Sequence, residues 1–287
     1  MSNIMDSGLR TQDSGLRTQD SGLRTQDSGL RTQDELCADI NPEAPQSEDH
    51  AMSRGEFEEM LETQSAHWWF EGRRRVIDRI IRKKIFFSQT PHILEIGSGT
   101  GANLGILSRY GHVTAMELDD YARSAIQESS LIAKVKGWLP NGLDEINGKT
   151  FSLICMFDVL EHIEDDGAAL EALKPYVARG GFLFVTVPAY QWMFSAHDKR
   201  MGHYRRYTRT HLKRLISSHG FTVTYSGYMN TFLFPLMALG RAFNKSGTGI
   251  PGFGLNKILT AIYSFESLFV PSISLPFGGS VVAVCRL

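Results

Sequence analysis

Two acids and three glycines fall at spacings that suit a small polar ligand. Residues 92–101 read His-Ile-Leu-Glu-Ile-Gly-Ser-Gly-Thr-Gly, an apolar strand carrying Glu95 that runs into Gly97, Gly99 and Gly101. Glycines at alternate positions let the backbone turn sharply and approach a ligand closely. A helix is predicted from about Asn103, with its free N–H groups facing that ligand. The order E-x-G-x-G-x-G differs from the G-x-G-x-x-G that a pyrophosphate calls for. Val113–Glu117 reads as a second strand ending in an acid. Glu117 stands about 20 residues past the first glycines, where nucleotide-binding sheets place the carboxylate that accepts ribose hydroxyls.

A second set of reactive side chains comes later. Phe151–Phe157 is a buried-strand pattern running into the polar Asp158-Val159-Leu160-Glu161-His162. Gly180–Pro188 reads as a turn, a strand and a stop, and is followed by Tyr190-Gln191-Trp192-Met193-Phe194-Ser195-Ala196-His197-Asp198 and Gly202-His203-Tyr204-Arg205-Arg206-Tyr207. Ligands bind beyond the carboxyl ends of parallel strands, and this block leaves such an end. Histidine, with an ordinary pKa of about 6.5, suits proton removal near neutral pH. His197 and His203 are therefore the candidate bases, with Asp198 to orient one of them. Tyr190, Arg205, Arg206 and Tyr207 supply candidate anion clamps and an apolar wall for a substrate.

The glycine run resembles motif I of class I S-adenosylmethionine (SAM)-dependent methyltransferases, and the Phe151–His162 segment resembles the "FDLI…DVLEH" stretch of that family. Four matches follow in the family's order: the glycine loop, the Glu117 strand, the Asp158 segment and the Gly180–Pro188 strand. The resemblance implies a Rossmann-like α/β fold with a mostly parallel seven-stranded sheet and an antiparallel last strand. It implies SAM as cofactor, held by Glu95, Gly97, Ser98, Gly99, Gly101, Asn103, Glu117, Asp158 and His162, with Glu95 close to the cofactor's amino group. His67-Trp68-Trp69-Phe70…Arg73-Arg74, Ala196-His197-Asp198…Gly202-His203…Arg205-Arg206-Tyr207 and Pro276-Phe277-Gly278-Gly279-Ser280 resemble a bacterial and archaeal subgroup of the type 11/12 kind. Many of its members are encoded among genes for cell-surface glycans or lipid-linked sugars. On that resemblance Trp68, Trp69 and Arg73 join the candidate substrate contacts. It covers residues 55–287.

The elements that must position these groups follow from patterning. From Pro91 onward strands alternate with helices, as in a parallel sheet covered on both faces. Ahead of it, Ile77, Ile80 and Ile81 share one face of a predicted helix, with Arg79, Arg82, Lys83 and Lys84 around the rest. Residues 51–90 are read as a helical cap and 91–287 as the core. Phe221–Thr224 and Val281–Val284 read as the last two strands. The connection between them, an insert over 229–279, far exceeds the usual few residues. It holds apolar runs around Phe232, Phe234, Phe265 and Phe269, each broken by Pro or Gly before the roughly 18 residues that a membrane span needs. These read as a helical lid, or as a surface for a bilayer or lipid-like acceptor, with the basic Arg73–Lys84 helix meeting anionic head groups.

Bulk properties narrow the class. Among 287 residues, 42% are hydrophobic, enough for one sizeable core. Thirty basic residues against 31 acidic give a net charge of −1 and no electrostatic case for nucleic acid. Three scattered cysteines, Cys37, Cys155 and Cys285, match neither a disulfide framework nor a zinc site, and no metal is expected. No basic-then-apolar signal segment opens the chain, which points to the cytosol or a cytosolic membrane face. Residues 6–33 are four copies of Asp-Ser-Gly-Leu-Arg-Thr-Gln. One apolar residue per unit is too few for a coiled-coil seam, so residues 1–50 are predicted to be a disordered tail.

The sequence thus predicts a SAM-dependent methyltransferase acting on a small-molecule or lipid- or glycan-linked acceptor, through a hydroxyl. The alternatives are an NAD-dependent oxidoreductase and a non-catalytic SAM-binding scaffold at a membrane. Deleting residues 1–50 is expected to leave the melting temperature and SAM affinity unchanged, because such repeats contribute nothing to a packed core. Differential scanning calorimetry of the two forms checks this, and a large drop on deletion overturns it.

Overall fold

The apolar run at 92–96 is a strand because its side chains are wanted on both faces. Ile93 and Leu94 point to opposite sides of the sheet, and both are fully buried. In the computed structural model, which describes residues 52–127, 129–242 and 250–287, this strand is β1 (His92–Ile96), an interior strand of a seven-stranded sheet. The repeat tail lies outside the described residues.

The strands that follow are β2 (His112–Glu117), β3 (Ile132–Lys136), β4 (Phe151–Phe157), β5 (Val177–Pro188), β6 (Thr222–Met229) and β7 (Ser280–Arg286). Their order across the sheet is β3-β2-β1-β4-β5-β7-β6. β1 runs parallel to β2 and β4, with Leu94 beside Thr114 on one side and Ile154 on the other. β7 is antiparallel to both β5 and β6. The fold is therefore the mixed, Rossmann-like sheet expected. β5 begins three residues ahead of the predicted turn, and Gly180 is absorbed as an irregularity within it.

Each face of the sheet has its own core. One contains Leu94, Ile154, Leu183 and Ala283 under the helices α5 (Asp166–Leu173) and α7 (Arg209–Ser218). The other contains Ile93, Leu153, Phe184 and Val282. This second core is closed by helix α2 (Trp68–Lys84), whose Val76, Ile77, Ile80 and Ile81 are completely buried. Cys155 and Cys285 are small packing residues inside the strands.

α2 in turn supports the insert. Helix α9 (Phe253–Glu266) crosses it where Gly72 meets Tyr263 so closely that a Cβ at Gly72 would lie 2.6 Å from the Tyr263 ring. Asn256 ties the crossing by accepting from the Trp68 N–H (2.9 Å) and donating to the Ala66 carbonyl (2.8 Å). Helices α1 (Arg54–Thr63) and α8 (Phe234–Ala242) complete this side. α1 opens on a capping box, Ser53 with Glu56, and its far end is joined to the glycine loop through Gln64 and Thr100, 2.8 Å apart. The predicted helix after Asn103 forms but lasts a single turn, α3 (Leu104–Leu107). It is too short to serve as an anion-binding terminus.

Among the described residues no helix is long and apolar enough to cross a membrane.

Candidate functional site

Four strand ends converge on one cavity. β1, β2, β4 and β5 are followed directly by Gly97, Leu118, Asp158 and Ala189, and parallel order brings these ends to the same edge of the sheet. The cavity there measures 1190 Å³. That exceeds the roughly 300–1,000 Å³ of a typical small-molecule site, leaving room for two ligands side by side.

At one end lies the glycine loop. Gly97 adopts φ +61, and a Cβ there would come within 2.7 Å of Val159, so only glycine fits both the backbone and the space. The loop is held by Glu117, whose carboxylate accepts from the Gly99 N–H (2.7 Å) and the Asp119 N–H (3.0 Å). Each oxygen keeps a further lone pair for a ligand hydroxyl. Burial raises the Glu117 carboxyl above its ordinary range, and these two N–H groups oppose the rise. Glu95 sits beneath the loop, accepting from Asn103 Nδ2 (2.9 Å), while its other oxygen is buried with no partner. Burial pushes its carboxyl up to about 7. A buried carboxylate lacking a counter-charge is what a cationic amino group would complete. The residues present therefore fit SAM: Glu95 would take its amino group and Glu117 its ribose.

At the centre is an ion pair with its arginine buried and its carboxylate half-buried. Arg73 Nη1 meets Asp158 Oδ2 at 2.6 Å and donates from Nη2 to Thr186 Oγ1 (2.5 Å), while Thr186 donates to Asp158 Oδ1 (3.2 Å). The guanidinium also lies over the Trp69 ring, 4.7 Å from its centroid. Asp158 takes φ +59, unusual outside glycine, and the three-way contact holds it there.

At the other end stands the block after β5. Asp198, at the third position of the short helix α6 (Ala196–Arg200), is completely buried. Its Oδ1 accepts from Arg206 Nε and Nη2 (both 2.7 Å) and faces His203 Nδ1 at 3.1 Å. Its Oδ2 accepts from the Ser195 N–H (2.9 Å). Asp198 thus fixes His203, whose ring packs edge-on against His162 with centroids 4.5 Å apart. Burial, followed by the nearby His203, drives the His162 pKa down to about 3.

The predicted site residues divide accordingly. Gly97, Ser98, Gly99, Asn103, Glu117, Asp158 and His162 line the cavity, as do Trp68, Trp69, Arg73, His197, His203 and Arg206. Glu95 and Gly101 support the loop from below. Three proposed substrate contacts lie elsewhere. Tyr207 is buried in the core, donating to Asp166 (2.8 Å), and Arg205 pairs with the same carboxylate at 3.0 Å. Tyr190 stacks between Trp192 and Tyr228. All three brace the block instead of facing the cavity, because the chain folds back to pair with β5 at Ala189 and Tyr207.

Sequence reasoning missed Glu161, whose buried carboxylate lines the cavity, and Trp138 and Leu139 beside Glu117. It also missed Phe57 and Met60 of α1. Their only signal was the i, i+3 apolar spacing of the first helix. Glu117→Ala is expected to weaken SAM binding by about 1.5–3 kcal/mol, the worth of a charged hydrogen bond. Titration calorimetry measures it, and equal affinity for NAD in the wild-type protein would contradict the assignment.

A family model described as a methyltransferase domain matches residues 67–226. No curated protein matches the chain. Among solved structures, it is similar to a chain from the Haloferax volcanii complex between the Trm112 methyltransferase activator and a protein assigned as a methyltransferase. Identity is 12% over 81% of this chain and 92% of that one, with a TM-score of 0.52. A Bacillus halodurans protein, likewise assigned as a methyltransferase, gives 12% identity over 74% and 97% with a TM-score of 0.49. The plantazolicin methyltransferase BpumL, solved with S-adenosylhomocysteine (SAH), gives 12% over 81% and 97% with a TM-score of 0.47. With the family model matching more than half of its length, and with a sheet, glycine loop and acid-ended second strand in the matching order, this chain belongs to the class I SAM-dependent methyltransferases.

Proposed function

We propose that the chain transfers the methyl group of SAM to a hydroxyl oxygen, and that His203 removes the hydroxyl proton. The observation that carries this reading is the Asp198–His203 couple in the wall of the cofactor's own cavity. When bound, SAM supplies a sulfonium that releases its methyl as the carbon–sulfur bond breaks and a carbon–oxygen bond forms. The protein has to align the acceptor and take up one proton. Asp198 accepts from His203 Nδ1–H, which leaves Nε2 as the basic atom, and Arg206 and Ser195 lock the carboxylate that does so. His197, on α6 and lining the same cavity, is the second candidate base. Trp68, Trp69 and Arg206 supply the surrounding wall. Replacing the true base with Ala should lower kcat by about 10²–10⁴-fold and leave SAM binding intact. Near-wild-type turnover in both His203→Ala and His197→Ala would make the block structural, or show that the acceptor needs no base.

The acceptor we propose is amphipathic, a lipid- or glycan-linked molecule met at a cytosolic membrane face. The apolar outer surface of the insert supports this. Leu236 and Leu239 of α8, Phe253, Ile258 and Phe265 of α9, and Phe232 and Leu268 beside them are all exposed. Their neighbours Leu233, Leu259, Tyr263 and Val270 face inward and already form the packing that a lid requires. An apolar surface this extended marks a contact site, and Leu233, Leu236 and Met237 carry it to the rim of the cavity. The basic helix contributes less than its sequence implies. Arg73 is committed to Asp158 and Arg74 to the Gln64 carbonyl (2.6 Å), which leaves Arg75, Arg82 and Lys83 on the surface. The subgroup resemblance, with its glycan and lipid-linked setting, points the same way. Co-sedimentation with anionic liposomes should show binding that weakens with salt and falls in Phe265→Ser and in Arg82→Glu/Lys83→Glu. Absence of binding at low salt, with full turnover on a water-soluble acceptor, would reduce the insert to a lid.

A further inference from the structure

Glu161 has no counter-charge. Its side chain is fully buried, and neither carboxylate oxygen has a hydrogen-bond partner from another residue. The arginines whose fields reach it are committed, Arg73 to Asp158 and Arg206 to Asp198. A buried carboxylate in that position is costly unless it is protonated or meets a cation. Beside it stand two imidazoles. One nitrogen from each of His162 and His203 and one oxygen of Glu161 all lie within 4.8 Å of one another.

We propose that Glu161, His162 and His203 form a binding site for one divalent first-row transition cation in the wall of the cavity. Ligands held at about 2.1 Å from one ion in a tetrahedral set lie about 3.4 Å apart, so a shift of up to about 0.8 Å in each side chain closes the set. The outer shell is already built. A metal-bound histidine donates its second ring N–H to a carboxylate, which fixes the tautomer and the ring plane. His203 Nδ1 has Asp198 at 3.1 Å for that purpose, and Asp198 is anchored by Arg206, leaving Nε2 to the cation. Two imidazoles and one carboxylate suit zinc, iron, cobalt or manganese, whereas magnesium and calcium take all-oxygen shells.

Three protein ligands leave positions open, and all three residues line the cavity. On the methyl-transfer reading, which this role alone rests on, an open position takes the acceptor hydroxyl and acidifies it. In the cation-loaded form His203 is a ligand and the acidified hydroxyl gives its proton to His197, whereas proton removal by His203 Nε2 belongs to the cation-free form. The spacing of the sequence hides such a site, because Glu161 and His162 are adjacent while His203 comes from beyond β5.

The test uses the full chain, stripped with chelator and titrated with Co2+, whose visible absorption reports coordination. One Co2+ per chain is expected, with a rise in melting temperature. Glu161→Gln keeps the shape and removes the buried charge. It should weaken Co2+ binding by more than the roughly 10–100-fold that loss of an outer-shell partner costs, and should abolish the cation-induced rise. Calorimetric SAH binding by the variant shows that the cofactor half is folded. No saturable Co2+ binding, or equal affinity in wild type and Glu161→Gln, overturns the site and makes Glu161 a protonated carboxyl. SAH binding without Co2+ binding removes the cation and leaves methyl transfer standing. Co2+ binding without SAH binding does the reverse.

Discussion

The Arg73–Asp158–Thr186 contact is the interaction on which the site depends. It joins α2 to the ends of β4 and β5, three elements far apart in the chain, at the centre of the cavity. A buried ion pair contributes little net stability, because desolvation offsets most of the attraction. Removing Asp158, however, strands the charge of Arg73, which is buried. The contact therefore selects one position for α2 over the sheet, and with it the position of everything α2 carries. Trp68 and Trp69 enter the cavity wall because Arg73 is held one turn further on. α9 and the rest of the insert sit where Gly72 permits the crossing.

The carboxylates around the cavity show how one fold gives one functional group several characters. Glu117 meets two backbone N–H groups and offers its remaining lone pairs to a hydroxylated ligand. Glu95 has one oxygen satisfied by Asn103 and the other buried without a partner. Asp158 and Asp198 are tied to arginines and act through the groups they orient. Glu161 alone accepts from no other residue and has no arginine of its own. The sheet also places unusual backbone at these ends. Asp158, Tyr190 and Asn230, each within two residues of the end of β4, β5 or β6, adopt positive φ. Such conformations cost of order 1–3 kcal/mol and persist only where surrounding contacts over-determine them.

The glycine loop and the acid that ends β2 were legible in the chain because they are local. The glycines must follow β1 directly, since a loop that approaches a ligand by its backbone is written in consecutive residues, and Glu117 must end the next strand. A mostly parallel sheet covered on both faces followed from alternating strands and helices, and the apolar face of α2 from its periodicity. What the sequence could not give was partnership. Arg73 reads as one of three consecutive arginines, yet it alone turns inward, because only its position faces Asp158 across the sheet edge. Arg205, Arg206 and Tyr207 read as one polar block. Pairing beside β5 sends Arg206 to Asp198 and the other two to Asp166. The meeting of Glu161, His162 and His203 was equally hidden, because burial and charge balance are properties of the packed molecule. Sequence alone determined which backbone would cradle a ligand, and only tertiary structure decided which charged side chains would be left without a partner inside it.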